Sequence, residues 1–239
     1  MSFSQAVVTN YSPPSLIFII LVGLAALSAR PALLYGQTSC THGNLPAWFA
    51  RPGADANHAV GYGSRYTFLA EIGLKKAQED ATRGAAWIGP FRIEASKNFG
   101  EKQSGGINPM GEKFDHDPTG TTAVVDTVLQ SFTCDDLLVV QSPLSRPIRT
   151  VGRKIDVTYV LDRTANLPVD LQLAEIKARL EAAYTANTQV REMTMRVGQR
   201  SLEITQHNTT AMFNACLTTR REITARTVNI AVSCYLSGS

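Results

Sequence analysis

The side chains that could carry chemistry are few and scattered. Four cysteines stand at 40, 134, 216 and 234, and four histidines at 42, 58, 116 and 207. No two cysteines are spaced Cys-x-x-Cys, the pair a structural zinc site needs. The one cluster with metal-ligand chemistry is Asp115-His116-Asp117. Adjacent positions do not converge easily on one ion, and no second His or Cys group complements them, so no metal and no cofactor is expected. Pro118 and Thr119 give the segment a turn reading, with a threonine capping a following helix. A cysteine hydrolase would need a thiolate beside a positioned histidine, and a serine hydrolase an exposed elbow serine in Gly-x-Ser-x-Gly. Neither pattern is present, so no catalytic residue is expected.

Two glycine-rich stretches imitate phosphate loops. Gly61-Tyr62-Gly63 lacks the third glycine and reads as a turn into a helix. Gly106 and Gly111 have the glycine spacing of a P-loop, but Glu112 occupies the place of the phosphate-binding lysine and would repel the ligand. The polar segment 98–120 is longer than most connections inside a domain, which suggests function. An exported enzyme or metal-binding protein using that loop is the alternative to a non-catalytic reading.

The cysteines depend on the address of the chain. Residues 15–29, SLIFIILVGLAALSA, form an apolar run shorter than the roughly 18 residues of a spanning helix, which reads as the core of a signal peptide. Residues 1–39 are therefore expected to be a signal peptide or an N-terminal anchor, cut after Ser28, Gly36 or Ser39 if cut at all. Cleavage after Ser39 would expose Cys40 for lipidation, although Gln37 stands where a lipoprotein box carries an apolar residue. Cys134, Cys216 and Cys234 are then the disulfide candidates, and a Cys216–Cys234 bridge would contribute roughly 3 kcal/mol by loop closure. Pairing of all four without lipid is the other solution.

The elements that would position these residues follow from periodicity. Ala70, Leu74, Ala77, Ala81, Ala85 and Ile88 recur at steps of three and four, giving a helix over about 66–88 with a methyl-sized apolar face. FRIEAS alternates as a half-buried strand; TTAVVDTVLQSF reads as a core helix with Val125, Val128, Leu129 and Phe132 on one side. LLVV and KIDVTYVLD supply strands, Pro168 and Asp170 mark a helix running to about 186, and TVNIAVSCY is another strand. The order gives an α+β fold, helices packed on one face of a mainly antiparallel sheet, as one or two such units. The 239 residues are 44% hydrophobic, enough for a buried core, and the net charge of +3 from 23 basic and 20 acidic residues is too small and too interspersed for a nucleic-acid surface.

Pro46, Trp48, Gly61, Gly63, Ala70, Ala77 and Ala81 carry a likeness. The Pro-x-Trp, the Gly-x-Gly and the alanine helix leading into a strand resemble the LPP-twenty family of bacterial envelope lipoproteins, and are similar to the N-terminal domain of flagellar assembly protein T. The resemblance covers residues 46–163 and leaves 164–239 as an α+β extension or a second domain. It implies lipid on Cys40, a tether to the membrane through that lipid or an anchor, and an envelope or flagellar protein as partner. Trp48, Gly61 and Gly63 become candidate interaction or domain-edge residues, with Trp48 as a plug over exposed core.

Overall fold

The structure is a computed structural model that describes residues 39–41, 44–53, 57–101, 107–120, 122–197 and 200–238. The apolar run at 15–29, the cut sites at Ser28 and Gly36, and His42 lie outside the described residues. Nine strands and three helices alternate in the described chain, first a four-residue helix α1 (Ala47–Ala50), then β1 (His58–Ser64), α2 (Ala70–Ala85), β2 (Phe91–Glu101) and β3 (Ile107–Pro118). They continue with β4 (Gln130–Cys134), β5 (Leu137–Pro143), β6 (Arg153–Asp162), α3 (Leu167–Ala186), β7 (Thr188–Val197), β8 (Arg200–Ile223) and β9 (Thr227–Leu236).

The strands make two antiparallel sheets, giving an α+β fold. One sheet has the order β1-β5-β4, and the other β3-β2-β8-β9-β6 with β7 also on β8. The 24-residue β8 organises the second sheet. Its first part pairs with β7 and with β2, and its later part with β9. Strands from both sides of residue 164 therefore share one sheet, and residues 37–239 form one compact unit.

Small side chains bring α2 against β1. A Cβ on Gly61 would lie 1.9 Å from the Ala77 carbonyl oxygen, and one on Gly63 2.6 Å from that of Gly73. Ala77, Ala81 and Ala85 are fully buried along this contact, the helix face that the alanine spacing predicts. Gly61 and Gly63 thus lie within strand β1, not in the expected turn, because a helix backbone occupies the space of their side chains.

Helix α3 covers one face of the larger sheet. Asn166 caps it by accepting from the Val169 N–H at 3.3 Å, Pro168 sits in the first turn, and Asp170 accepts from Thr164 N and Oγ1 at 2.8 Å each. Leu167, Leu171, Ala174, Ala178 and Leu180 are buried with Val228, Ile230, Val232 and Cys234 of β9 in the main core. The opposite sheet face carries exposed Arg92, Glu94, Lys154 and Asp156.

Two expected elements are different. The described residues of 98–118 are two paired strands in place of a loop: β2 runs on to Glu101, and β3 lies antiparallel along it from Ile107 to Pro118. Both strands are polar on the solvent side and one is an edge strand, so their pattern imitates a loop. The expected helix over 121–132 is also absent among its described residues: Val124 bridges Leu144, and β4 begins at Gln130. Val125 and Leu129, read as buried, are exposed. The segment is rich in Val and Thr, whose branched Cβ favours extended backbone once β5 offers a partner.

Candidate functional site

The largest concentration of buried charge lies where β1, β8 and α3 meet. Tyr62 on β1 donates its hydroxyl to Glu175 Oε1 at 2.7 Å, and Arg221 Nε on β8 donates to the same hydroxyl at 2.7 Å and to Glu175 Oε1 at 2.9 Å. Arg221 Nη1 also donates to the Phe49 carbonyl of α1 at 3.1 Å, and the guanidinium lies 5.1 Å from the Phe49 ring centre. One turn along α3, Arg179 Nη1 reaches Glu175 Oε2 at 3.3 Å, and its Nη2 donates to Thr218 Oγ1 at 3.3 Å. Arg179 and Arg221 are only 3% and 5% exposed, so each needs the partners it has.

Burial alone would raise the Glu175 carboxyl, but Arg221 and Arg179, with hydrogen bonds from Tyr62 and Arg221, outweigh it and hold the group at about 2. Burial pushes the Tyr62 phenol well above its ordinary value, so it remains a proton donor. Asp80 on α2 accepts from the Tyr62 N–H at 2.9 Å, and burial raises its carboxyl. The carboxylate of Glu175 is thus fixed as an anion and the phenol as a neutral acid. Neither is poised for proton transfer near neutral pH.

Two adjoining cavities open beside this network. A small one of about 30 Å³ is lined by His58, Gln141, Thr218, Arg179 and Arg221 among others. The larger, about 210 Å³, lies between α2 and α3, where Val60, Trp87 and Ile176 meet Asp80, Arg83 and Gln172. Glu175 and Arg179 line both. Arg179 Nε is buried without a hydrogen-bond partner.

The chain matches no family model, no curated protein and no solved structure. Its chemistry is therefore read from its own residues.

Gly61 and Gly63 flank Tyr62 on β1, and Trp48 adjoins Phe49, while the cysteines and the Asp-His-Asp run singled out from sequence fall elsewhere. Cys40 is fully buried and bonded to Cys134 of β4, with Cα atoms 5.1 Å apart, and its N–H donates to Asp135 Oδ2 at 3.1 Å. This corrects the lipidation reading, because a sulfur already in a disulfide has no valence left for a thioether to lipid. Cys216 and Cys234 face each other across the β8–β9 ladder and form the second disulfide, so all four cysteines are paired. Trp48 is a half-buried plug, edge-on to Phe49 and Phe132 at 6.1 and 5.6 Å.

The Asp-His-Asp run is split by the strand period: Asp115 and Asp117 are exposed, and His116 stacks on Trp87 at 3.7 Å. Among the described residues no group of three or more His, Cys, Asp and Glu is placed to hold a metal ion. Tyr62, Glu175, Arg179 and Arg221 escaped the sequence reading. Glu175 and Arg179 stand at i and i+4, the pattern of an ordinary surface pair on a helix, and only the passage of β8 beneath α3 buries them.

Proposed function

We propose that the chain is an exported, non-catalytic bacterial envelope protein that works as an interaction or structural module through its folded surfaces. The observation that carries this reading is the pairing of all four cysteines. Disulfides persist in oxidising compartments and are kept reduced in most cytosols. The apolar run at 15–29 fits the same address, either as a removed signal or as a retained anchor. The likeness of residues 46–163 to LPP-twenty proteins belongs to this proposal, with an envelope or flagellar protein as the partner class.

Non-catalytic action is supported by the network itself, whose ionisable groups are held in fixed charge states. A surface for partners is supported by the approach to α2, where Tyr66, Phe68 and Leu69 are 66%, 98% and 53% exposed. Large apolar side chains close together in water mark contact sites more often than scattered ones.

Fractionation of cells followed by non-reducing peptide mass spectrometry tests the reading. The expected result is recovery from the envelope or periplasm with Cys40 linked to Cys134 and Cys216 to Cys234. Recovery from the cytosol with four free thiols would overturn it.

A further inference from the structure

We infer that the exposed apolar turn at Tyr66, Phe68 and Leu69, with Ile72 behind it on α2, is seated in the surface of the lipid bilayer that holds the chain's own apolar run at 15–29. The inference deepens the proposed function and rests on its retained-anchor form.

The place where the chain leaves the folded unit decides the occupant. Ser39 is exposed, and beside it the Cys40 N–H donates to Asp135 Oδ2 at 3.1 Å while the Cys40 sulfur is bonded to Cys134. Asp136, the next residue of the same β4–β5 turn, accepts from the Arg65 N–H through its carbonyl at 2.7 Å. Neighbouring residues of one turn therefore hold both the chain that leads back to the apolar run and the start of the exposed turn. Residues 30–38 span at most about 32 Å when extended. A run held in a bilayer thus keeps this end of the molecule within reach of that surface at high effective concentration.

Shape favours lipid over a protein groove. Phe68 is 98% exposed, and Tyr66, Leu69 and Ile72 are 66%, 53% and 41% exposed, so the side chains project as a convex knuckle. A protein partner would need a pocket shaped to that knuckle, whereas acyl chains yield around any apolar side chain. Tyr66 adds a ring with a hydroxyl tip, the kind of side chain that settles at a water–lipid boundary.

Shallow burial in lipid also requires the local backbone groups to be met. The Tyr66 N–H donates to Ser64 Oγ at 3.2 Å, and the Leu69 carbonyl accepts from Thr67 Oγ1 at 2.6 Å and from the Ile72 N–H at 3.0 Å. Gly73 supports the turn from behind, where a Cβ would lie 2.7 Å from the Ser64 carbonyl oxygen and 3.1 Å from Thr67 Oγ1. The apolar side chains are carried on a pinned turn.

Charge does not select the lipid. Arg65, Lys75, Lys76 and Arg163 stand against Glu71, Glu79, Asp135 and Asp136 around this end, with Lys75 4.0 Å from Glu79 and Arg163 4.0 Å from Asp135. The opposite charges balance, so apolar burial drives the contact and an anionic headgroup is not required.

The test reconstitutes the full oxidised chain into vesicles of phosphatidylethanolamine with phosphatidylglycerol, and into phosphatidylcholine alone, each with and without lipid brominated near the headgroup. Phe68→Trp places a probe on the knuckle. Val151→Trp is the control: Val151 is 64% exposed and lines a cavity with Pro90, beyond the far end of α2 and about 24 Å of helix away from the turn. Both side chains stand in water in the parent, so both variants should keep the parent's thermal midpoint. The emission added by Phe68→Trp should shift to the blue and be quenched roughly twofold or more by brominated lipid in both vesicle types, and that added by Val151→Trp should be unaffected. The proposal is overturned if the probe at 68 is unquenched, which would leave the knuckle to a protein partner, if both probes are quenched alike, or if quenching needs the anionic lipid. It is also overturned if mass spectrometry finds the native chain cut between the run and Ser39. Recovery from the envelope with both disulfides and an unquenched probe would sink this inference alone, whereas cytosolic recovery with free thiols would sink the proposed function.

Discussion

Arg221 and Tyr62 are 159 positions apart, and the guanidinium Nε of one donates to the phenolic oxygen of the other at 2.7 Å. Tyr62 passes the interaction on to Glu175, so one hydrogen-bonded unit joins β1 of the small sheet to β8 of the large sheet and to α3. Removing Arg221 leaves the buried Glu175 with Arg179 as its remaining cation, so the cost falls at the lower end of the about 3–5 kcal/mol of breaking a buried pair. Arg221→Met is expected to lower stability by about 3 kcal/mol in urea unfolding at neutral pH. Tyr62→Phe should cost about 1–3 kcal/mol, the loss of a buried hydrogen bond to charged groups.

The same network sets an acid limb. Glu175 is held at about 2 against an ordinary value of 4.5, so the unfolded chain takes up its proton first as pH falls. The stability it contributes is complete above about 4.5 and is lost progressively between there and about 2. Glu175→Gln is expected to destabilise the protein at pH 7 and to flatten the pH dependence across that window. Unfolding midpoints measured from pH 2 to 7 would read both effects, and an unchanged acid slope in the variant would count against the network.

Glycines in α2 and β1 separate packing from backbone effects. Gly61→Ala places its Cβ 1.9 Å from the Ala77 carbonyl oxygen, and helix and strand must part to accept it. Roughly 3 kcal/mol or more is expected, at the upper end of overpacking costs because the obstacle is backbone. Gly84 is the control. Its Cβ would meet only the Val60 carbonyl oxygen at 3.4 Å, so Gly84→Ala should gain about 0.5–1 kcal/mol from helix propensity. Thermal unfolding of the two variants side by side checks the opposite signs.

The parts of this fold legible in the sequence are those where one periodic face meets one core. The Ala77, Ala81 and Ala85 stripe marked α2, Pro168 marked the entry to α3, and Val228, Ile230, Val232 and Cys234 marked the buried side of β9. The β2–β3 pairing was not legible, because an edge strand with charged side chains has the composition of a loop. Residues 122–129 misled through apolar residues at helical spacing, where pairing with β5 decides the backbone instead. The buried network was hidden more deeply: Glu175 and Arg179 have surface spacing, and Tyr62 and Arg221 join them only once both sheets are assembled.

His116 reports a different pH range. Burial against Trp87 lowers its imidazole from 6.5, outweighing a hydrogen bond with the Ala86 backbone and the neighbouring Asp115 and Asp117, while Arg179 adds to the lowering. The unfolded state therefore binds the proton more readily, and stability falls as pH drops below about 6.5 until the folded value is passed. His116→Phe should keep the stack on Trp87 and remove this decline. Stability measured between pH 7.5 and 5 is the check, and an equal decline in parent and variant would refute the assignment.

The two disulfides should differ in worth because they close loops of different length. Cys40 and Cys134 are 94 residues apart, Cys216 and Cys234 only 18. Chain-entropy reasoning gives roughly 4–5 kcal/mol for the long loop and about 3 kcal/mol for the short one. The long bridge also seats the Cys40 N–H on Asp135, so its loss frees the segment that leads into α1 as well. Paired substitution of Cys40 and Cys134 by serine is expected to lower the urea midpoint more than paired substitution of Cys216 and Cys234. Thiol labelling of the unfolded, unreduced parent should find no free cysteine, whereas lipid on Cys40 would leave Cys134 open to label and remove the first of these two differences.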